Sequence, residues 1–241
     1  MERGNPMKQE TQAYGGSEVE RIAILGGARM GGASLVIDVI SRIPTQRAVA
    51  IFDSDPRVKG HTYLGVPVVG STDDVDSRYR EGLFDSAVIA IGSDMEARER
   101  LFIHLTAAGV PFANVIDLSA RLRLGVSMGK GNVVLPGCHL GTGTSLGNNV
   151  FMVSNTSIEH HSTIGDHSYF STSCSLASWV KVGTKVRFDM RSGARPEISI
   201  GDGARIGPGV LLLSGVPAGA VVETQAAYSV RLPDGASPGK R

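Results

Sequence analysis

Two adjacent histidines, preceded by a glutamate, are the residues of this chain best suited to acid–base chemistry. They are Glu159, His160 and His161. An imidazole titrates near neutral pH, so a histidine can take up and return a proton under physiological conditions. The alternative is that both rings are solvated and have no chemical role. The choice depends on where the surrounding chain places them.

A period of six residues runs through that surrounding chain. Every sixth residue from Leu122 to Leu212 is apolar, the next residue is often glycine, and the residue four places on is small or β-branched. Such hexapeptide repeats predict a left-handed parallel β-helix, in which stacking buries an apolar column and glycine accommodates the corners. A β-sandwich would instead alternate with period two and break at irregular turns.

The period also indicates where the two histidines lie. Ile158 and Ser162 occupy inward positions, so His160 and His161 belong to the corner between them and cannot both be buried. Three repeats make one coil, which places Trp179 beside the histidine pair in the next coil. His167 falls at another corner, where we expect it to be solvated or at an interface rather than catalytic.

A glycine-rich turn lies near the amino terminus, between a predicted strand over residues 21–25 and a predicted helix over 34–43. It contains Gly26, Gly27 and Gly31. Backbone NH groups of such a turn, together with a helix N-terminus, can bind a phosphate. The glycines lack the full G-x-G-x-x-G spacing, so a turn that merely joins strand to helix is the alternative.

Two aspartates end the second predicted strand, over residues 48–55. Asp53 and Asp55 suit contact with the ribose or base of a nucleotide, or else they cap a turn at Pro56. A later strand ends at Gly92, and strands and helices alternate as far as residue 116. This pattern predicts a small parallel-sheet, Rossmann-like domain with its ligand edge at the carboxyl ends of the strands.

The sequence therefore divides into four predicted segments. These are a disordered lead-in over residues 1–20, the α/β domain over 21–117, the β-helix over 118–222 and a tail over 223–241. Cys138 and Cys174 both fall at the inward position four places after the apolar residue. We predict that both are core thiols rather than nucleophiles or disulfide partners.

Composition narrows the functional classes. The chain has 241 residues, of which 41% are hydrophobic and 20% charged, and its net charge is +1. Without a concentrated basic face, we expect no nucleic-acid partner. No apolar run approaches the roughly 20 residues of a membrane span, and the polar start lacks a signal-peptide centre, so we expect a cytoplasmic protein without a membrane partner. No metal site is predicted.

The order of these pieces resembles the sugar O- and N-acyltransferases of the sialic acid O-acetyltransferase type. The resemblance rests on the glycine-rich turn and on the stretches FDSDP, YLGVPVVG, AVIAIGSDMEAR, AGVPFANVID, IEHHSTIGD, IGDGARIGPGV and VPAGAVV, and covers about residues 20 to 222. It implies a homotrimer in which acyl-CoA, here expected to be acetyl-CoA, lies along the groove between neighbouring coils. It further implies that the small domain binds the nucleotide of a sugar substrate.

The resemblance also implies roles for single residues. His160 matches the family's general base, with Glu159 or His161 available to orient the ring. Trp179 would pack on a neighbouring protomer or on CoA. The remaining matched positions are glycines for the CoA groove (Gly183, Gly201, Gly207) and residues for the nucleotide sugar (Gly26, Gly27, Gly31, Asp53, Asp55, Gly92).

The sequence departs from that family at several places, including the following three. His161 stands where the family commonly has an acid, Asp117 stands where it commonly has a histidine, and residues 223–228 replace its usual carboxyl-terminal loop. Three functions therefore stay open: N-acetylation of a nucleotide-linked amino sugar, O-acetylation of a sugar hydroxyl, and a catalytically inactive nucleotide-sugar-binding or scaffold homologue. Four arginines along the later coils would either contact CoA phosphates or form a solvated face (Arg187, Arg191, Arg195, Arg205).

Overall fold

A computed structural model describes residues 19–28, 31–92 and 94–224 of the chain. Most of the predicted lead-in and tail, residues 1–18 and 225–241, lies outside these ranges. So do residues 29 and 30 of the glycine-rich turn.

The amino-terminal part is a five-stranded sheet with helices on both faces. Its strands are β1 (Glu20–Leu25), β2 (Gln46–Phe52), β3 (Thr62–Tyr63), β4 (Val66–Gly70) and β5 (Ser86–Ile89), in the order β3-β4-β2-β1-β5. All neighbours pair in parallel except β3 and β4. The helices are α1 (Gly32–Ile40), α2 (Val75–Arg80) and α3 (Met95–Ala107), with 3-10 helices at Pro56–Val58 and Thr72–Asp74.

Burial on both faces explains why the strands read as continuous apolar runs. Ile22 and Ile24 of β1 face a core that includes α1, whereas Ala23 and Leu25 face a second core formed with residues of α2 and α3. Strand β1 begins at Glu20, one residue before the predicted start.

The rest of the described chain is a stack of three-sided coils built from two-residue strands. They are β6 (Val115–Ile116), β7 (Arg121–Leu122), β8 (Ser127–Met128), β9 (Val133–Val134), β10 (His139–Leu140), β11 (Ser145–Leu146), β12 (Phe151–Met152), β13 (Ser157–Ile158), β14 (Thr163–Ile164), β15 (Tyr169–Phe170), β16 (Ser175–Leu176), β17 (Lys181–Val182), β18 (Arg187–Phe188), β19 (Gly193–Ala194), β20 (Ser199–Ile200), β21 (Arg205–Ile206), β22 (Leu211–Leu212) and β23 (Val221–Val222).

These strands form three parallel sheets, which are the three sides of the coil. The first side has seven strands, from β6 to β23; the second has six, from β7 to β22; the third has five, from β8 to β20. Each strand pairs with the strand one coil further on, as Leu140 does with Ile158 and Ile158 with Leu176. These stacked parallel strands fit a left-handed parallel β-helix, as the period of six predicts.

Small polar side chains inside the coil satisfy their hydrogen bonds there. Ser162 is fully buried, donates to the carbonyl of Ala177 (3.2 Å) and accepts from the backbone NH of Val180 (3.1 Å). Ser168 has the same two kinds of partner in Gly183 and Val186. Because buried hydroxyls without partners are costly, this pairing explains how serine can occupy an inward position among apolar residues.

The corners are built differently from the prediction. From Leu122 to Ile206, the residue three places after each inward apolar residue has positive φ, and at nine successive corners, from Asn149 to Glu197, it is not glycine. The glycines directly after the apolar residues have no positive φ and serve close stacking instead. A Cβ added to Gly165, for example, would lie 2.5 Å from the backbone of Gly183.

The two parts of the chain are joined through the first side of the coil and through α3. Val133 and Phe151 belong to the same core as β1 and α1. The predicted last strand of the sheet, residues 112–116, is divided: Phe112 bridges to Ala87, whereas Val115–Ile116 pairs with β9 of the coil. One short segment therefore contributes to both sheets.

A fully buried arginine lies at this junction. The guanidinium of Arg98, on α3, donates to the carbonyl of Ile91 (2.6 Å) and to Oδ1 of Asn149 (2.8 Å), and lies 5.5 Å from the ring centroid of Phe151. Burial lowers the pKa of Arg98 to about 9, which leaves the group charged at neutral pH. These bonds fix the corner at Asn149 against α3.

His167 belongs to the same junction. Of the two positions expected for it, solvated or at an interface, the solvated one is wrong. Its ring is 6% exposed, contacts Nδ2 of Asn149 at 3.0 Å and packs edge-on against Phe102. Burial lowers the pKa of His167. The packing is structural because the ring fills the space between the coil and α3.

Candidate functional site

The histidine pair lies at the corner between the second and third sides of the coil, as predicted. His160 and His161 are both exposed, while Ile158 and Ser162 on either side are buried. The Nδ1 atoms of the two rings are 3.0 Å apart. The pair therefore presents one linked unit at the surface.

Backbone hydrogen bonds between coils hold this corner in place. The NH of His161 donates to the carbonyl of Thr142 (2.9 Å), and the NH of Trp179 donates to the carbonyl of His160 (3.1 Å). His161 has φ of 58° and Trp179 has φ of 63°, a region that residues other than glycine rarely adopt. The coil thus determines the direction in which both side chains leave the backbone.

The ring of His161 is confined on two sides. It stacks on Trp179 with centroids 4.4 Å apart and planes 9° apart. A Cβ added to Gly143, one coil in the other direction, would lie 3.2 Å from Cδ2 of His161. The predicted stacking of Trp179 beside the pair is confirmed, and Trp179 remains 50% exposed.

Glu159 points away from the pair. Its carboxylate accepts a hydrogen bond from the hydroxyl of Ser157 (3.2 Å), and within the described part of the chain it has no hydrogen bond to either imidazole. Glu159 comes directly after β13, and this bond holds its carboxylate beside Ser157. The expectation that Glu159 orients a ring therefore does not hold in this geometry.

The glycines assigned to a CoA groove have a steric role in stacking. A Cβ on Gly183 would lie 2.2 Å from Oδ1 of Asp202, and a Cβ on Gly201 would lie 2.3 Å from the NH of Ala218. Both glycines follow strands of the third side, which begins at the histidine corner. Gly207 follows a strand of the first side and is not brought together with Trp179.

A cleft of about 440 Å³ lies between the glycine-rich turn and the first side of the coil. Gly27, Gly32 and Gly92 line it from the sheet, and Tyr169 and Thr172 line it from the coil. Helix α1 begins at this cleft. Among the described residues no side chain caps its N-terminus, and the NH of Ala33 is paired with the carbonyl of Gly27 (3.1 Å). Unpaired NH groups at a helix N-terminus favour an anionic ligand such as a phosphate.

The three predicted turn glycines have distinct roles. Gly26, Gly27 and Gly31 all have positive φ. A Cβ on Gly27 would lie 2.4 Å from the carbonyl oxygen of Ala90, whereas one on Gly31 would meet nothing within 4 Å. The turn is therefore packed tightly against the end of β5 at Gly27 and open at Gly31.

The two aspartates stabilise turns beside the cleft. Asp53 accepts from the NH of Ala28 (3.0 Å), which ties the second strand to the glycine-rich turn. Asp55 caps the 3-10 helix that starts at Pro56 and pairs with Arg57 (2.7 Å). Asp55 therefore caps the turn at Pro56, which was the second of the two roles considered for it. Both aspartates line a second depression that does not include the residues of the cleft.

The histidine corner and the cleft lie at opposite ends of one side of the coil. Thr172 of the cleft is at the corner between the first and second sides, and His160 is at the corner between the second and third. Within the described chain neither histidine lines the cleft, so the predicted base and the predicted nucleotide-binding residues do not converge.

The four arginines considered for CoA phosphates do not form one surface. Arg187 and Arg205 are cross-strand neighbours on the first side, and Arg187 pairs with Asp189 (2.8 Å). Arg191 is at a corner, and Arg195 follows a strand of the second side. A single phosphate site formed by all four is excluded by this geometry.

Sequence reasoning missed Arg98, Phe151 and Tyr169. A signal for two of them existed, because the outward positions of the first side read Val115, Val133, Phe151 and Tyr169 in steps of one coil. An apolar outward face predicts that something covers it. The role of Arg98 depends on contacts between distant segments.

Both cysteines are buried free thiols, as predicted. Burial raises the pKa of Cys138 to about 11 and also raises that of Cys174. Among residues 19–28, 31–92 and 94–224, no three metal-ligating side chains come together. Over the same residues, no helix combines the length and apolar character needed to cross a bilayer.

Comparison with known proteins shows that the chain is similar to several acyltransferases. No family model matches the chain. A stretch of 74 residues, 31% of this chain, is 42% identical to the acyl-[acyl-carrier-protein]–UDP-N-acetylglucosamine O-acyltransferase of Xylella fastidiosa, and spans 28% of that protein's length.

Solved structures also match most of the chain. A variant of the GDP-perosamine N-acetyltransferase from Caulobacter crescentus, in complex with CoA and GDP-perosamine, is 25% identical, with 87% of this chain and 93% of that one covered and a TM-score of 0.77. The acetyltransferase domain of PglB from Neisseria gonorrhoeae, in complex with acetyl coenzyme A, is 20% identical over 88% of this chain and 100% of that one, with a TM-score of 0.78. All three relatives are acyltransferases.

Proposed function

We propose that this protein is an acetyl-CoA-dependent N-acetyltransferase that acts on a nucleotide-linked amino sugar, with His160 as the general base. The observation that carries the proposal is the exposed His160 at a corner of the coil. The fold around it covers 93% of the length of an N-acetyltransferase variant that is bound to CoA and a nucleotide sugar. O-Acetylation of a sugar hydroxyl would need the same base. The choice between N- and O-acetylation depends on which acceptor the protein binds.

The proposed chemistry is direct acyl transfer. The amine nitrogen of the sugar attacks the thioester carbonyl carbon, a nitrogen–carbon bond forms and the carbon–sulfur bond breaks. Nε2 of His160 takes the proton from the amine and returns it to the departing sulfur, so CoA leaves as a thiol. Trp179 offers an exposed aromatic surface beside the base, against which the acyl donor can pack.

In this proposal the amino-terminal sheet is a Rossmann-like domain, over residues 21–117, that binds the nucleotide. Its support is the cleft at the start of α1, which Gly27 and Gly32 line and where no described side chain caps the helix. Tyr169 contributes an aromatic ring to the opposite wall. Residues 118–222 form the catalytic coil.

A homotrimer belongs to the same proposal, because one chain does not bring its base to its own cleft. The second side, which separates the two, carries small outward residues at Ser157, Ser175 and Gly193, and Leu211 is 64% exposed at its end. A second copy packed along the coil would cover these residues. Native mass spectrometry should give three times the chain mass of 25.3 kDa.

The activity is tested by incubating the full chain with acetyl-CoA and a panel of UDP-, dTDP- and GDP-linked amino sugars while free thiol is measured. We expect turnover with at least one acceptor. The His160→Ala protein should lose at least about 100-fold of this rate, the usual contribution of a general base. Exposed His104, on α3, supplies the matched control, and His104→Ala should retain the full rate.

The inactive-homologue alternative makes the opposite prediction. In that case no acceptor would release thiol above background, and CoA would not raise the melting temperature of the protein. Wild-type turnover in the His160→Ala protein would instead leave the activity intact and refute His160 as its base.

A further inference from the structure

The contact between the two histidines restricts their protonation pattern. At 3.0 Å, the Nδ1 atoms of His160 and His161 are within hydrogen-bond distance. A neutral imidazole has one NH and one nitrogen lone pair, so a bond between two Nδ1 atoms requires a donor and an acceptor. When both rings are neutral, they must therefore be in opposite tautomers.

His161 is the more constrained of the two rings. It lies between Trp179, on which it stacks, and Gly143, whose missing Cβ leaves room for it. His160 meets Trp179 only edge-on at 6.4 Å, and within the described chain its single side-chain hydrogen bond is the one to His161. The orientation of His160 therefore depends on His161.

We propose that His161 is a positioning residue whose Nδ1 accepts the Nδ1 proton of His160. This arrangement keeps Nε2 of His160 unprotonated and available as the base. After Nε2 takes up a proton, the bond persists with a charged donor, which strengthens it. The catalytic meaning of this inference rests on the proposed function, whereas the tautomer is a property of the free protein.

Two substitutions at His161 test its role as a hydrogen-bond acceptor separately from its stacking on Trp179. In His161→Asn, the side-chain oxygen stands at the same place along the side chain as Nδ1, and asparagine already occupies positive-φ corners at Asn149 and Asn155. In His161→Phe, the ring can still stack on Trp179 but has no acceptor. His161→Asn thus keeps the acceptor and loses the stacking, whereas His161→Phe keeps the stacking and loses the acceptor.

The first experiment is nitrogen-15 NMR of the histidine rings in the free protein at a pH where both are neutral. We expect His160 to carry its proton on Nδ1 in the wild type and in His161→Asn. In His161→Phe it should revert to the Nε2-protonated form that an isolated imidazole prefers. A wild-type His160 protonated on Nε2, or one unchanged in His161→Phe, would overturn the inference.

The second experiment measures kcat and KM with the best nucleotide-sugar acceptor. We expect kcat of His161→Phe to fall on the order of 100-fold with KM for the acceptor unchanged, and His161→Asn to recover at least about a tenth of the wild-type kcat. Equal losses in both variants, with matching melting temperatures, would assign His161 a packing role. A protein without acetyltransfer but with the expected NMR pattern would refute the function and leave the inference standing.

Discussion

At the level of single residues, the corners show how the coil sets backbone conformation independently of residue type. Arg191 and Glu197 adopt positive φ just as Gly203 and Gly209 do. The left-handed conformation costs roughly 1–2 kcal/mol for a residue with a Cβ, and coil-to-coil hydrogen bonds such as that from Arg191 to Thr172 hold it in place. Substitution at an exposed corner should therefore change the free energy that the left-handed conformation costs.

Arg191 allows a direct test because it is exposed and lies away from the histidine corner. We expect Arg191→Gly to change the free energy of unfolding by less than about 1 kcal/mol, since relief of strain is offset by greater freedom of the unfolded chain. Arg191→Val should destabilise by about 1–2 kcal/mol or more, because a β-branched residue tolerates positive φ least. Urea unfolding measures both, and a valine variant as stable as the glycine variant would contradict this account.

Buried thiols predict a stability change in alkaline solution. Burial raises the pKa of Cys138 from 9.0 to about 11. The folded state therefore favours the neutral thiol, and this stabilisation is complete below pH 9 and lost as the pH rises through 11. We expect the wild type to lose about 2 kcal/mol more than Cys138→Ala over that range, measured by chemical unfolding. Parallel losses in the two proteins would show that the thiol contributes nothing.

At the level of elements, two classes of glycine have different functions in the coil. Gly165→Ala would place a Cβ against the backbone of Gly183 and force neighbouring coils apart, which we expect to cost about 1–3 kcal/mol. Gly203 has positive φ but open space around it, so Gly203→Asn should stay within about 1 kcal/mol of the wild type. Thermal unfolding compares the pair, and equal effects would mean that close stacking is not what Gly165 provides.

The sequence predicted the coil well because its period is local and repeated. The inward column, the outward corner of His160 and the stacking of Trp179 all follow from counting in sixes and eighteens. The function of the glycines was misassigned, since composition alone does not distinguish a residue needed for φ from one needed for space. The contacts of Arg98 and the direction of the Glu159 carboxylate depend on distant neighbours, which a period does not encode.

At the level of the whole molecule, the separation of His160 from the cleft makes a prediction about mixed assemblies. Thr172→Trp should block the cleft, and His160→Ala removes the proposed base, so each variant alone should be nearly inactive. Co-expressed in equal amounts, they should recover on the order of a quarter of the wild-type rate, because a working site takes one intact half from each of two chains. Differently tagged copies purified together supply the sample.

The outcome separates two architectures. No recovery, in a sample that mass spectrometry shows to be mixed, would mean that each chain completes its own site. Mixed samples of His160→Ala with His161→Phe are the matched control and should recover nothing beyond their separate rates, because both changes affect the same half.

The coil also restricts how this chain can change in length. Each residue stacks on the one eighteen positions away, as Ser157 does on Ser175, so loss of one full coil would leave all remaining neighbours on their own sides. Loss of six residues would rotate everything that follows by one side, and loss of one residue would turn inward side chains outward. Viable insertions and deletions within the column should therefore occur in whole coils, with smaller ones confined to corners that can bulge outward.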